Sequence, residues 1–250
     1  MIDCPAPDML FGGLLRLSQP PKGHRAGTDG VLLAAATPAD AVRIADFGAS
    51  SGLVGLRAAQ INPQARVTLF EQDAEIAALA RANIATNDLD GRVEVAQRDI
   101  LEPGTLTTWR EAFDCVLSNP PFHEAGRTRM PTAKSAAYVM KPQGGGSGLQ
   151  VWLRRATSVL APKGRLVLIH RADEIGAVLE ALKGRFGGIR LIFVHPRQDE
   201  PAIRVLAGAT KASRAPLSIL PPLVLHESDG CFTPFAEGLN RGKANLPLFE

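Results

Sequence analysis

The sequence predicts an α/β fold with a mostly parallel seven-stranded sheet and helices on both faces, and three observations carry that expectation. Short apolar runs alternate with helix-period segments between residues 42 and 209. Such alternation favours parallel strands covered on both sides. Several runs end in acidic or turn-forming residues, as strand-to-helix corners require. Finally, the last two runs are separated by residues 195–201 alone. A parallel connection needs a crossover of a dozen or more residues, so the last strand is expected to be antiparallel.

Taken in order, residues 1–40 read as an extension before the main domain. Residues 11–17 can hold a strand or hairpin, 19–30 are turn-rich, and 31–37 form a short helix stopped by Pro38. Residues 42–47 are the first strand of the domain and lead into Gly48-Ala49-Ser50-Ser51-Gly52; residues 53–61 are a helix. The second strand, 67–70, is closed by Glu71. An alanine-rich helix at 74–87 places Ile76, Leu79 and Ile84 on one side. Residues 93–96 and 113–117 are the third and fourth strands, the latter closed by Ser118-Asn119-Pro120-Pro121-Phe122. Residues 130–148, with their glycine run, read as an exposed loop. A helix follows at 149–160, stopped by Pro162-Lys163-Gly164. Strands at 165–170, 189–194 and 202–209, with a helix at 175–182, complete the domain of residues 41–217. Residues 218–250 are proline-rich, lack periodicity, and are expected to lie along the body as a tail.

Composition narrows the classes. The 24 glycines and 19 prolines among 250 residues follow no period, which excludes collagen-like and repeat architectures. Cys4, Cys115 and Cys231 are odd in number and far apart, which argues against a disulfide framework or a cysteine zinc site. Cys115 lies among apolar neighbours as a core residue. The five histidines show no ligand spacing, so no metal is expected. Neither a basic-then-apolar leader nor a run of membrane-spanning length is present, so a cytoplasmic location is expected.

The net charge of +3 is uninformative, but its placement is not. Up to Pro120 there are 10 basic residues against 15 acidic ones; from Pro121 to Leu217 there are 16 against 6. A basic second half suits a polyanion, although a solvated face accounts for charge of this kind equally well.

Candidate site residues gather where an open α/β sheet binds ligands, beyond the carboxyl ends of its strands. Asp46 ends the first strand, and Gly48 and Gly52 flank a tight turn whose N–H groups can face a ligand. Glu71, about twenty residues on, can accept both hydroxyls of a ribose. Asp99 follows the third strand and can receive an adenine amino group. The same residue types also serve plain turns and caps. Asn119-Pro120-Pro121-Phe122 is more specific. Two prolines hold the segment extended, so the Asn119 side-chain carbonyl and the Pro120 carbonyl can accept from one exocyclic amine, and Phe122 can stack on a flat base.

These motifs make the chain resemble the class I S-adenosylmethionine-dependent methyltransferases of the small-domain type, which have a Rossmann-like fold. The resemblance covers roughly residues 20 to 210. Within that group the chain is most similar to the tRNA1(Val) adenine-37 N6-methyltransferase family, through Gly23–Gly30, Trp152-Leu153, Leu168–Arg171 and the tail around His226 and Gly230. The resemblance implies S-adenosylmethionine as cofactor and methyl transfer to adenine N6 in RNA, with tRNA as the favoured partner. It implies Thr28, Asp46, Gly48, Ser50, Gly52, Glu71, Asp99 and Asn119 at the cofactor, and Asn119, Pro120 and Phe122 at the amine. The N-terminal extension would close over the site, with His24 and Arg25, together with His123, Arg127 and Arg129, beside the substrate.

Two departures stand out. Ser50 occupies the position of the family's central glycine, which allows close approach or a positive φ; a tolerated serine with a small turn shift is expected. His123 after Phe122 also resembles guanine-N2 methyltransferases of ribosomal RNA. Glutamine N5-methylation of proteins and a non-catalytic RNA-binding module are further alternatives. His170 and Arg171 are candidates for capping or packing more than for base catalysis. The oligomeric state stays open.

Overall fold

The computed structural model describes residues 7–20, 27–121 and 148–249. An antiparallel hairpin, β1 (Asp8–Leu10) and β2 (Leu15–Leu17), comes first, followed by helix α1 (Thr28–Ala35). The helix starts three residues before the expected position because Gly27 is its extended N-cap. Then come β3 (Arg43–Phe47), α2 (Leu53–Ile61), β4 (Arg66–Glu71), α3 (Ala74–Thr86), β5 (Val93–Gln97) and β6 (Phe113–Ser118). The second half holds α4 (Gly148–Val159), β7 (Leu160–Arg171), α5 (Ile175–Leu182), β8 (Phe186–His195) and β9 (Arg204–Lys211). The tail contributes β10 (Ser218–Ile219), β11 (Leu223–Val224) and α6 (Pro234–Asn240).

All seven expected strands lie in one sheet, ordered β8-β9-β7-β6-β3-β4-β5. The five from β7 to β5 are parallel neighbours, and β9 runs antiparallel to both β7 and β8. The seven-strand count is corrected in one respect. Two-residue strands β10 and β11 pair in parallel with β8, making nine. They give that edge partners for backbone groups it would otherwise present to solvent.

A second correction concerns residues 160–164, expected as a helix end and a stop. The chain passes directly from α4 into β7. Leu160 pairs with Phe113 and Arg165 with Cys115, so the residues between are extruded as an irregularity, with Lys163 at φ +62°. Proline and glycine inside a strand are tolerated at such bulges.

Helices α1, α2 and α3 cover one face of the sheet together with α6, and α4 and α5 cover the other. Leu33, Leu56 and Ile84 are buried on the first face; Leu153, Val178 and Leu182 are buried on the second. Phe47, Phe70 and Phe113 form an edge-to-face aromatic chain under α4, with Phe47 and Phe70 centroids 5.2 Å apart. Cys115 is a free, fully buried thiol, as expected for a core residue. Among the described residues no helix is long and apolar enough to cross a membrane, and no metal-binding group of side chains occurs.

Candidate active site

The strand order reverses between β3 and β6. From β3 the chain moves outward through β4 to β5, then returns to the other side of β3 as β6. The crevice at such a switch point is where α/β sheets take their ligands. Phe47 and Ser118 are register partners there, so the glycine turn and the Asn119 segment leave the sheet side by side.

The turn is held from below and from one side. Gly48 N and Ala49 N both donate to the Phe70 carbonyl, at 3.0 Å each, and Ser50 N donates to Glu71 Oε2 at 3.0 Å. These three amides therefore do not face a ligand as expected; they are taken up by the end of β4. What the turn presents to the crevice is the exposed, side-chain-free surface of Gly48. Gly48 has φ +72°, and a Cβ there would come within 3.3 Å of the Trp152 ring. Gly52, the N-cap of α2, has φ +98°. Ser50 has φ +50°, the left-handed region that glycine enters without a Cβ penalty. The serine thus holds a backbone conformation that glycine takes more readily.

Asp46 lies beneath the turn. It is 2% exposed, and its Oδ2 accepts from Gly55 N in the first turn of α2 at 2.9 Å. Burial pushes the carboxyl up to about 7; the Gly55 bond opposes the shift and the charge of Glu71 adds to it. No motif in the sequence singles out Gly55. A Cβ on it would lie 2.1 Å from Leu69 Cδ2 and 3.2 Å from Asp46 Oδ2, so its role depends on atoms of two neighbouring strands.

Glu71 is buried, with Oε1 accepting from Asp73 N at 2.9 Å and Oε2 from Ser50 N. Burial raises its pKa, while these backbone donors hold the charged form. Asp99 is exposed at the rim beyond β5, where its Oδ1 accepts from Leu101 N at 2.8 Å. Thr28 opens α1. Its neighbour Gly30 sits against Leu53, which brings α1 close to the start of α2. Asp29 forms an ion pair with Arg204 Nε at 2.9 Å, tying α1 to the first residue of β9.

At the end of β6, Ser118 is fully buried. Its Oγ donates to the Phe47 carbonyl at 3.3 Å and accepts from Trp152 Nε1 at 2.9 Å. The Asn119 Oδ1 atom that follows is buried and has no hydrogen-bond partner among the described residues. A buried carbonyl oxygen without a donor is costly unless a ligand supplies one. Pro120 is buried behind it. His170, at the same end of β7, is 5% exposed, and burial pushes its pKa below the ordinary value, keeping the ring neutral. Phe122, His123, Arg127, Arg129, His24 and Arg25 lie outside the described residues.

The arrangement has the polar groups and the open backbone surface that S-adenosylmethionine would need. It offers a glycine surface without side chain, a strand-end carboxylate with two backbone donors behind it, a rim carboxylate, and an orphaned amide oxygen next to them.

Comparison with known proteins agrees. Residues 26–195 match the methyltransferase small domain family model. The chain is 32% identical over 221 residues to a Porphyromonas gingivalis protein named tRNA1(Val) (adenine(37)-N6)-methyltransferase, covering 84% of each chain. It is 34% identical over 218 residues to an Aeromonas hydrophila protein of the same name, covering 84% of this chain and 85% of that one. A crystal structure from Agrobacterium tumefaciens, described as a predicted O-methyltransferase, superposes with a TM-score of 0.71 at 31% identity, covering 87% of this chain and 98% of that one. Sheet order, site and relatives together place the chain in the methyltransferase small domain family of S-adenosylmethionine-dependent enzymes.

Proposed function

We propose that the protein methylates the N6 amine of an adenine in RNA, with tRNA as its substrate. The observation that carries this reading is the buried Asn119 Oδ1, which has no donor among the described residues, at the switch point beside the glycine turn. The names of the tRNA-modifying relatives support the same substrate class.

In this reading S-adenosylmethionine supplies an electrophilic methyl group on a sulfonium. The chain's own residues position and enclose. Glu71 accepts from the ribose hydroxyls while Ser50 N and Asp73 N keep its carboxylate oriented. Asp99 reaches the adenine of the cofactor, Thr28 closes from α1, and Gly48 lets the ligand approach the backbone. Asp46 supports the turn through Gly55 N. Asn119 Oδ1 and the Pro120 carbonyl accept the two hydrogens of the target amine, which aims its lone pair at the methyl group. That is preorganisation without a strong base. Phe122 stacks on the target base, which leaves its own stack to enter the crevice. Segment 1–40 closes over the site, and His24, Arg25, His123, Arg127 and Arg129 flank the phosphates.

The test is transfer of labelled methyl groups to total tRNA and rRNA, followed by nucleoside analysis. N6-methyladenosine is the expected product; N2-methylguanosine or a 2′-O-methylated nucleoside would overturn the reading. Asn119→Ala should lower product formation at least ~100-fold with cofactor affinity nearly unchanged. Persistent turnover in that variant would remove Asn119 from the amine-positioning role.

A further inference from the structure

A cleft of about 450 Å³ opens far from the reaction crevice, between α4, the 104–111 segment and the end of β9. Its charged lining is Arg110, Arg154, Arg155, Arg185, Lys211 and Glu111. The single carboxylate is committed, since Glu111 Oε1 is paired with Lys211 Nζ at 3.1 Å. Arg110, Arg154 and Arg185 have no side-chain partner among the described residues. Arg155 Nη2 donates to the Leu101 carbonyl at 2.9 Å, but its Nε is buried without an acceptor. Four arginines therefore line one cleft with no carboxylate paired to them among the described residues.

A neighbouring cleft of about 550 Å³ makes the contrast plain. There Arg43 faces Asp114 at 3.6 Å and Arg165 faces Asp40 at 2.6 Å, so those two cations are answered within the protein. The first cleft therefore gathers more arginines without a carboxylate partner than the second, where two of the lining arginines are paired.

Location identifies the occupant. Glu111 N donates to the Ser158 carbonyl and Phe113 pairs with Leu160, so the cleft lies at the amino-terminal end of β6, whereas Asn119 leaves its carboxyl end. At ~3.3 Å per residue the two are about 20 Å apart. No mononucleotide spans that distance, but a folded polyanion does. We propose that the cleft is a second contact for the RNA substrate, where the guanidinium groups of Arg110, Arg154, Arg155 and Arg185 hold backbone phosphates remote from the target base. Guanidinium forks suit phosphate oxygens. The contact gives affinity and orientation without reading sequence. It rests on the RNA-methylation reading above.

The experiment is steady-state methylation of tRNA, with direct tRNA binding, by the wild type, the Arg154→Ala/Arg185→Ala double variant and Arg43→Ala. Arg154→Glu, altered only at an exposed position of α4, is a further arm that does not depend on Arg185. Expected for the double variant is a KM raised ~10-fold at about 0.1 M salt, kcat within about twofold, and a salt-dependence slope smaller by about two. Arg43→Ala should leave all three unchanged. The proposal is overturned if the double variant matches the wild type, if kcat falls while KM stays, or if Arg43→Ala weakens binding equally. Failure of the wild type to methylate any RNA is a different result: it removes the function reading itself.

Discussion

At Ser50 a side chain occupies a backbone conformation suited to glycine. The left-handed φ of +50° costs an L-residue about 1–2 kcal/mol, partly offset because glycine would add freedom to the unfolded chain. Ser50→Gly should therefore stabilise the fold by no more than ~1 kcal/mol in a urea titration, with the amide still donating to Glu71. A clear loss of stability would mean that the hydroxyl makes a contact of its own. Asp46 gives a pH-dependent prediction. Its folded-state pKa of about 7 exceeds the ~3.9 of an unfolded aspartate, so the folded protein keeps a proton that the unfolded chain has lost. This contribution to stability is full below pH ~4 and disappears as pH rises through about 7. Asp46→Asn removes it. Between pH 5 and pH 8 the wild type should lose unfolding free energy relative to the variant; parallel profiles would contradict the buried proton. That Asp46, Glu71, Asp99 and Asn119 lie at or just beyond strand ends is legible in the sequence, because strand ends are. The direction each faces is not, since Asp46 turns down to Gly55 and the Gly48 amide turns to Phe70.

Helix α4 is the element that joins the two halves of the crevice. Trp152 lies against Gly48 and donates to Ser118, so one side chain sets the spacing between the glycine turn and the Asn119 segment. Trp152→Phe keeps an aromatic ring at Gly48 but leaves a fully buried hydroxyl without its donor. The expected result is a stability loss of about 1–3 kcal/mol and a kcat lowered ~10-fold or more, with cofactor affinity retained. Equal kcat would show that Ser118 does not steer Asn119. Trp152-Leu153 is legible in the sequence only through the family resemblance. The function of Trp152 is not, because the partners lie 34 and 104 residues away along the chain. The extended start of β7 was hidden for a related reason. Pro162 and Gly164 read locally as a stop, and only pairing with β6 shows them to be a bulge within a strand. Likewise β10 and β11 have two residues each, too short for any period, and exist because β8 offers them an edge.

Across the whole molecule, the tail is part of the body. Leu223, Leu225, Leu246 and Leu248 are buried, and Gly208 in β9 leaves room for Leu248, whose Cγ would be 2.8 Å from a Cβ there. Each buried leucine is worth about 1.5–3 kcal/mol. A chain ending at residue 217 should therefore lose more than about 5 kcal/mol and aggregate through the bared edge of β8. Recovery of a monomer with native-like melting would contradict this. The same segment reaches the front of the chain: Leu246 N donates to the Ala35 carbonyl, and the Gly242 carbonyl accepts from Arg57. Residues near both ends are thus fastened to each other across more than 180 positions. This sets an order in time. While the polypeptide is being made, α1 waits with its last turn unfastened until residues 239–248 have left the ribosome. The helix beside the glycine turn is among the earliest parts synthesised and among the last secured, so a stalled nascent chain should hold a sheet but no finished crevice.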